Sequence, residues 1–169
     1  PARFNVSDRA CASEFDFVFT GSYWQADRDV VAALGSLPRK YRGAIYGKHW
    51  EQVPCLAHLN RGFVPYQALP SIYRQSALVI DDANHVTKEW GAANSRVFDA
   101  LAAGCLVITN SHAVSDEVFD GRLPAYDDAA SLDVLLARYL ADAEARQRLT
   151  NDLRNLVLAR HSYAHRAME

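Results

Sequence analysis

Short apolar runs alternate along the chain with segments in which apolar residues recur every three or four positions. Residues 15–20, Phe-Asp-Phe-Val-Phe-Thr, are rich in aromatic and β-branched side chains and stop at Gly21, which predicts a strand. Residues 27–34 place Val30, Val31 and Leu34 on one side of a helix, and Gly43–Tyr46 reads as a short second strand. Phe63-Val64, after Gly62, is a candidate third strand. Residues 69–76 suggest a short helix with Pro70 in its first turn, and 78–80 a strand closed by Asp81-Asp82. The clearest unit runs from 94 to 109. Val97, Phe98 and Leu101 have helical spacing, Gly104 stands where a left-handed C-terminal residue is expected, and strand 106–109 follows at once. Ala125-Tyr126 is a candidate edge strand. Leu132, Leu135, Leu136, Tyr139 and Leu140 form one apolar stripe. Leu149, Leu153, Leu156 and Val157 form another, behind an Asp142 cap.

Strands alternating with helices at this spacing predict βαβ units with right-handed crossovers, hence an α/β, doubly wound, Rossmann-like parallel sheet. Such sheets bind ligands outside the carboxyl ends of the strands, where the strand order reverses. Here that lies between strand 15–20 and strand 78–80, so the loops leaving them, 21–27 and 81–94, should flank the site.

The 169 residues fit one domain, spanning 1–169. With 50% apolar and 22% charged residues a disordered chain is excluded. Eighteen basic and twenty acidic residues give a net charge of −2, which argues against a general nucleic-acid binder. Three cysteines, Cys11, Cys55 and Cys105, are odd in number, widely spaced and without a C-x-x-C, so neither a disulfide framework nor a cysteine zinc site is expected. No apolar run has the roughly 18 residues of a membrane span. A cytoplasmic location is the expectation. The opening Pro-Ala-Arg-Phe-Asn lacks an initiator Met and reads as mid-chain sequence, so a fragment of a longer protein is expected.

The first loop, Thr20-Gly21-Ser22-Tyr23-Trp24, has one glycine, not the G-x-G-x-x-G of dinucleotide sites, and no phosphate-gripping G-x-x-x-x-G-K-[ST] is present. Gly21 permits close approach of a ligand or is a plain turn residue. The second loop is long and polar and ends where helix 94–103 begins, a natural seat for an anion. Arg96 in the first turn opposes the helix dipole, which an anion bound between them would explain; an ion pair with Asp99 or Glu89 is the plainer alternative. Asp99 could accept two hydrogen bonds from a diol such as ribose, or be a solvated surface acid. Trp24, Trp50 and Trp90 are more simply packing residues, Trp90 being the one nearest the second loop's glycine. The six histidines form no zinc pattern.

Residues 94–109, Asn-Ser-Arg-Val-Phe-Asp-Ala-Leu-Ala-Ala-Gly-Cys-Leu-Val-Ile-Thr, resemble the E-A-x-A-x-G-x-P-V-I segment in the C-terminal, donor-binding domain of GT-B glycosyltransferases. The Asn-x-Arg-x-Phe form is similar to the spore-coat glycosyltransferase-like branch. Residues 62–73 resemble that family's G-x-V-x-x-x-x-L-P-x-x-Y stretch, and His161-Ser162-Tyr163-Ala164-His165-Arg166 its closing H-T-Y-x-x-R. The resemblance implies that Asp99 holds the nucleotide ribose, that Asn94, Ser95 and Arg96 meet the diphosphate, that Val64 and Tyr66 line the base pocket, and that Gly21 and Ser22 face the phosphates. Lys88, Lys48 and Arg74 are candidates to assist Arg96. The family's first acid would fall on Gly91, so that half of its E-x7-E pattern is missing, with Glu89 or Asp82 as candidate substitutes. The implied activity is transfer of a sugar from a nucleotide-diphosphate donor, with no required metal or other cofactor. The acceptor and any general base would be held by an N-terminal domain outside this chain, and the catalytic residues are not identified. This fragment alone is expected to bind nucleotide and transfer nothing. Three alternatives remain: a non-catalytic nucleotide-sugar-binding domain, a GT-B sugar-nucleotide epimerase, and a receiver-like signalling module built on Asp81-Asp82.

Overall fold

The aromatic run at the start of the chain forms the centre of a sheet. In the computed structural model, which describes residues 13–161, β1 (Phe15–Thr20) buries Phe17, Val18 and Phe19 almost completely. It lies between β2 (Gly43–Tyr46) and β3 (Ser76–Ile80), and β4 (Leu106–Ile108) flanks β3, giving the order β2-β1-β3-β4. All pairings are parallel, with Phe17 opposite Gly43 and Leu78, and Leu78 opposite Leu106. Gly43 lets the Phe17 ring lie across β2, since a Cβ there would stand 2.3 Å from that ring. The order reverses between β1 and β3, as the alternation of elements predicts.

The connections are helical: α1 (Asp29–Ser36) between β1 and β2, α2 (Leu69–Arg74) before β3, and α3 (His85–Glu89) with α4 (Ser95–Ala102) before β4. Right-handed crossovers running in opposite directions from the centre put α1 and α4 on opposite faces, so the fold is a doubly wound α/β sheet of the Rossmann-like kind. After β4 come α5 (His112–Phe119), α6 (Ala129–Ala141) and α7 (Ala143–Arg160). Leu132, Leu136 and Tyr139 bury the inner face of α6, which packs on α1; Leu153, Leu156 and Val157 bury that of α7, which packs on α4 and β4. Asp142 caps α7 through the Ala145 N–H at 2.8 Å, as its position in the sequence suggests.

Two expected strands come out differently. Phe63-Val64 is not in a strand. Pairing beside β2 occurs earlier, where the Ile45 N–H donates to Leu59 O and the Gly47 N–H to Gly62 O, and Gly62 at φ +77° then turns the chain away. Ala125 forms a single parallel bridge to Thr109 rather than a full edge strand. The polar stretch 81–94 contains α3 instead of running as an open loop, and α5 carries no strong apolar stripe in the sequence. Within the closing motif, residues 162–166 lie outside the described residues.

Candidate functional site

β1 and β3 end side by side, and the residues leaving them are tied down by two buried acids. Asp81 and Asp82 are each 1% exposed. Asp81 accepts from Arg96 Nη1 (2.6 Å), Asn94 Nδ2 (3.0 Å) and Thr109 Oγ1 (2.9 Å). Asp82 accepts from Arg28 Nε (2.7 Å), the Val30 N–H (3.1 Å) and Asn110 Nδ2 (3.0 Å). Burial pushes the Asp82 carboxyl above its usual range, against the pull of Arg28. Both guanidiniums also stack on Phe19, with carbons 5.3 and 4.6 Å from its centroid. The acid pair is therefore a knot joining β1, β3 and β4 to α1 and α4, with its hydrogen-bonding capacity largely occupied. That arrangement offers no open aspartate of the kind a receiver-like phospho-acceptor needs.

Beside this knot is an open cleft of about 340 Å³ at the carboxyl ends of β1 and β2. Gly21 and Ser22 form one wall, Phe63, Val64, Tyr66 and Leu69 another, and Ser95, Arg96 and Asp99 of α4 the third. Thr20, Tyr46, Gly47 and Tyr73 complete the lining. Asp99 is 8% exposed, and Tyr66 Oη donates to its Oδ2 at 2.9 Å. Burial raises the Asp99 carboxyl above its ordinary value and the Tyr66 hydrogen bond opposes that rise. Arg96 donates through Nε to Thr20 O as well as pairing with Asp81. Its Nη2 lies against Gly21, where a Cβ would approach to 2.7 Å. Trp50 Nε1 donates to Gly21 O at 2.6 Å and fixes the turn from below.

Seven of the eight residues given a role by the resemblance thus share one cleft: Gly21, Ser22, Val64, Tyr66, Ser95, Arg96 and Asp99. Asn94 and Lys88 are not in its lining. The Asn94 amide turns inward to Asp81 and Asp82 O, so no side chain among the described residues caps the start of α4. Lys88 is drawn to α1 by an ion pair with Asp29, and this hydrogen bond holds the Asp29 carboxyl below its usual value. The stretch 81–94 consequently packs against α1, and the wall expected from it comes from 63–73. Asp99 is not a solvated surface acid, and Arg96 pairs with Asp81 rather than with Asp99 or Glu89. Gly91 adopts φ +59°, a conformation that disfavours a side chain, so the family's first acid could not stand there without strain. Asp82 is engaged in the knot. Sequence reasoning left Tyr73 unassigned, although it closes the quoted L-P-x-x-Y stretch. It also missed Gly47, whose only signal was a glycine just after a strand.

A family model described as glycosyl transferase-like matches residues 25–169. The chain belongs to the glycosyl transferase-like family. No curated protein gives a significant sequence match. Among solved structures, this glycosyl transferase-like domain is similar to T4 phage BGT in complex with its UDP-glucose substrate, with a TM-score of 0.69 and 12% identity over 92% of this chain and 47% of that one. It is similar to the C-terminal domain of LpcC, a group 1 glycosyl transferase family protein of Francisella tularensis, with a TM-score of 0.61 and 12% identity over 94% and 95% of the two chains. It also resembles the C-terminal CMP-Kdo binding domain of WaaA from Acinetobacter baumannii, with a TM-score of 0.51 and 12% identity over 83% and 88%. At such identities the likeness is one of fold. The chain spans about half the length of the phage enzyme. No group of three or more His, Cys, Asp or Glu side chains able to hold a metal ion occurs among the described residues, and no described helix is long and apolar enough to cross a membrane.

Proposed function

We propose that residues 1–169 are the donor-binding half of a hexosyltransferase-like GT-B glycosyltransferase of the spore-coat-like branch, holding a nucleotide-diphosphate sugar in the cleft. The observation that carries this reading is the juxtaposition, in one cleft at the carboxyl ends of β1 and β2, of the buried acid Asp99 with a helix start that no side chain among the described residues caps. Asp99 can accept two hydrogen bonds from a ribose diol, with Tyr66 setting its orientation. The first N–H groups of α4, Ser95 and Arg96 face the diphosphate, an anion suited to the helix dipole. Asp81 offsets part of the Arg96 charge. Lys48, whose Nζ lies 5.0 Å over the Phe63 ring at the cleft margin, supplies a second cation in place of Lys88.

In this reading the bond from the anomeric carbon to the diphosphate breaks as an acceptor oxygen bonds to that carbon. Positive groups placed to meet the charge developing on the leaving diphosphate contribute several kcal/mol to such a step, on the order of 3 kcal/mol per donor. The acceptor and any general base belong to a further domain of a longer protein, in the cytoplasm, and the donor cleft works without a required metal. The left-handed Gly91 in place of the family's first acid favours a second reading, a domain that binds the donor without transferring it.

A thermal-shift screen of UDP, GDP, ADP, TDP and CDP tests the donor reading, with Asp99→Ala and Arg96→Ala as controls. At least one diphosphate is expected to stabilise the chain, by about 2.7 kcal/mol at 100 Kd. Undiminished shifts in both variants would refute the site. Donor hydrolysis or sugar transfer by the full-length protein separates transfer from binding alone.

A further inference from the structure

Two of the segments that line the cleft, 20–22 and 46–47, continue into a second, smaller cavity. Ser22 lines the cleft and Tyr23 the cavity; Gly47 lines the cleft and His49 the cavity. The two recesses therefore draw on the same two stretches of chain. The cavity measures about 180 Å³ and is lined by Tyr23, Trp24, Gln25, His49 and Gln52. None of these five is an acid, a lysine or an arginine.

Trp24 is 71% exposed, although a solvent-facing indole gains nothing from burial. It is held by the His49 ring, 5.6 Å away centroid to centroid, while the Tyr23 ring rests on buried Trp50 at 5.5 Å. Gln25 Nε2 donates to Gln52 Oε1 at 2.8 Å, which orients both amides and leaves Gln25 Oε1 as an acceptor and Gln52 Nε2 as a donor. Gln25 at φ +58° and His49 at φ +70° are two of only three non-glycine residues with positive φ among the described residues. Backbone in that region is costly for residues with a side chain and is found at ligand clamps.

We propose that this cavity is a binding site for an uncharged saccharide ring. The apolar C–H face of a pyranose stacks on an exposed indole. Its hydroxyls are both donors and acceptors, which the oriented amide pair and the imidazole match. His49 Nδ1 lies 3.8 Å from Glu51 Oε1, so an acid already faces the imidazole at the cavity's edge, which makes a phosphate or an acidic sugar a poor occupant. The saccharide site stands on the cavity alone and does not depend on the proposed donor reading.

The test is a two-dimensional 1H–15N NMR titration of the chain with neutral disaccharides (maltose, lactose and chitobiose), and separately with nucleoside diphosphates. At least one disaccharide should shift the Trp24 indole and Gln52 side-chain signals, with millimolar affinity. Trp24→Ala should weaken that binding at least tenfold, Trp24→Phe should restore part of it, and both variants should keep the parental melting temperature and nucleotide affinity. The proposal is overturned if no neutral disaccharide moves the Trp24 signal, if the shifts survive in Trp24→Ala, or if only nucleotides produce them. Nucleotide binding reads out separately on the Ser95 and Arg96 amides. Loss of those shifts with the Trp24 shifts intact would remove the donor reading and leave the saccharide site.

Discussion

A carboxylate in the middle of a helix and nearly out of reach of water lowers stability unless something offsets it. Among the described residues the Tyr66 hydroxyl offsets part of that cost, and burial holds the Asp99 carboxyl above the ordinary value of 3.8. A raised acid binds its proton more readily in the folded state. Its contribution to stability is therefore greatest below pH 3.8 and is lost as pH rises through the folded value. Asp99→Asn keeps an acceptor for Tyr66 and removes the charge. Thermal unfolding at neutral pH should show the variant at least as stable as the parent, with any advantage shrinking as pH falls. Nucleotide affinity should drop about tenfold, the worth of a charge-assisted hydrogen bond, by isothermal titration. Gly47 presents the opposite case, a residue needed for its lack of a side chain. A Cβ there would stand 2.1 Å from Gly21 O and 2.6 Å from Gly21 C, and backbone atoms cannot swing aside. Gly47→Ala should cost about 1–3 kcal/mol in urea denaturation, as overpacking does, and weaken nucleotide binding by distorting the Gly21 turn.

Between elements, the acid pair after β3 matters more than any single helix contact. Asp82 reaches α1 through Arg28 and the Val30 N–H, and the turn after β4 through Asn110. Its side chain is fully buried and that of Arg28 is 11% exposed. Removing one partner of such a pair leaves a charge without compensation in a poorly solvated place. Asp82→Ala should cost about 3–5 kcal/mol by chemical denaturation. Arg28→Met with Asp82→Leu should recover much of that loss, because an apolar pair of similar volume avoids the desolvation. The same knot accounts for the uncapped start of α4. Asn94 spends its amide on Asp81 and on Asp82 O rather than on the first N–H groups of the helix.

Across the molecule, the cleft draws on segments near 20–22, 46–47, 63–73 and 95–99, brought together by the parallel sheet. A ligand seated there touches the ends of β1 and β2, the approach to α2, and α4 at once. Its binding energy should appear as stabilisation of the whole chain, a single transition moving upward, rather than as local protection.

The strand and helix periods in the chain are enough to indicate the alternation of elements, the parallel sheet and the reversal point beside β1. These depend on local spacing of apolar side chains, which is written directly in the order of residues. The motif around Arg96 and Asp99 likewise marks one wall of the cleft. Pairing of side chains distant in the chain is not written there. That Asn94 would turn inward, that Lys88 would be captured by Asp29, and that the opposing wall would come from 63–73 followed from which charges the packed sheet left buried together. A buried acid takes the nearest donors available in space, wherever the chain carries them.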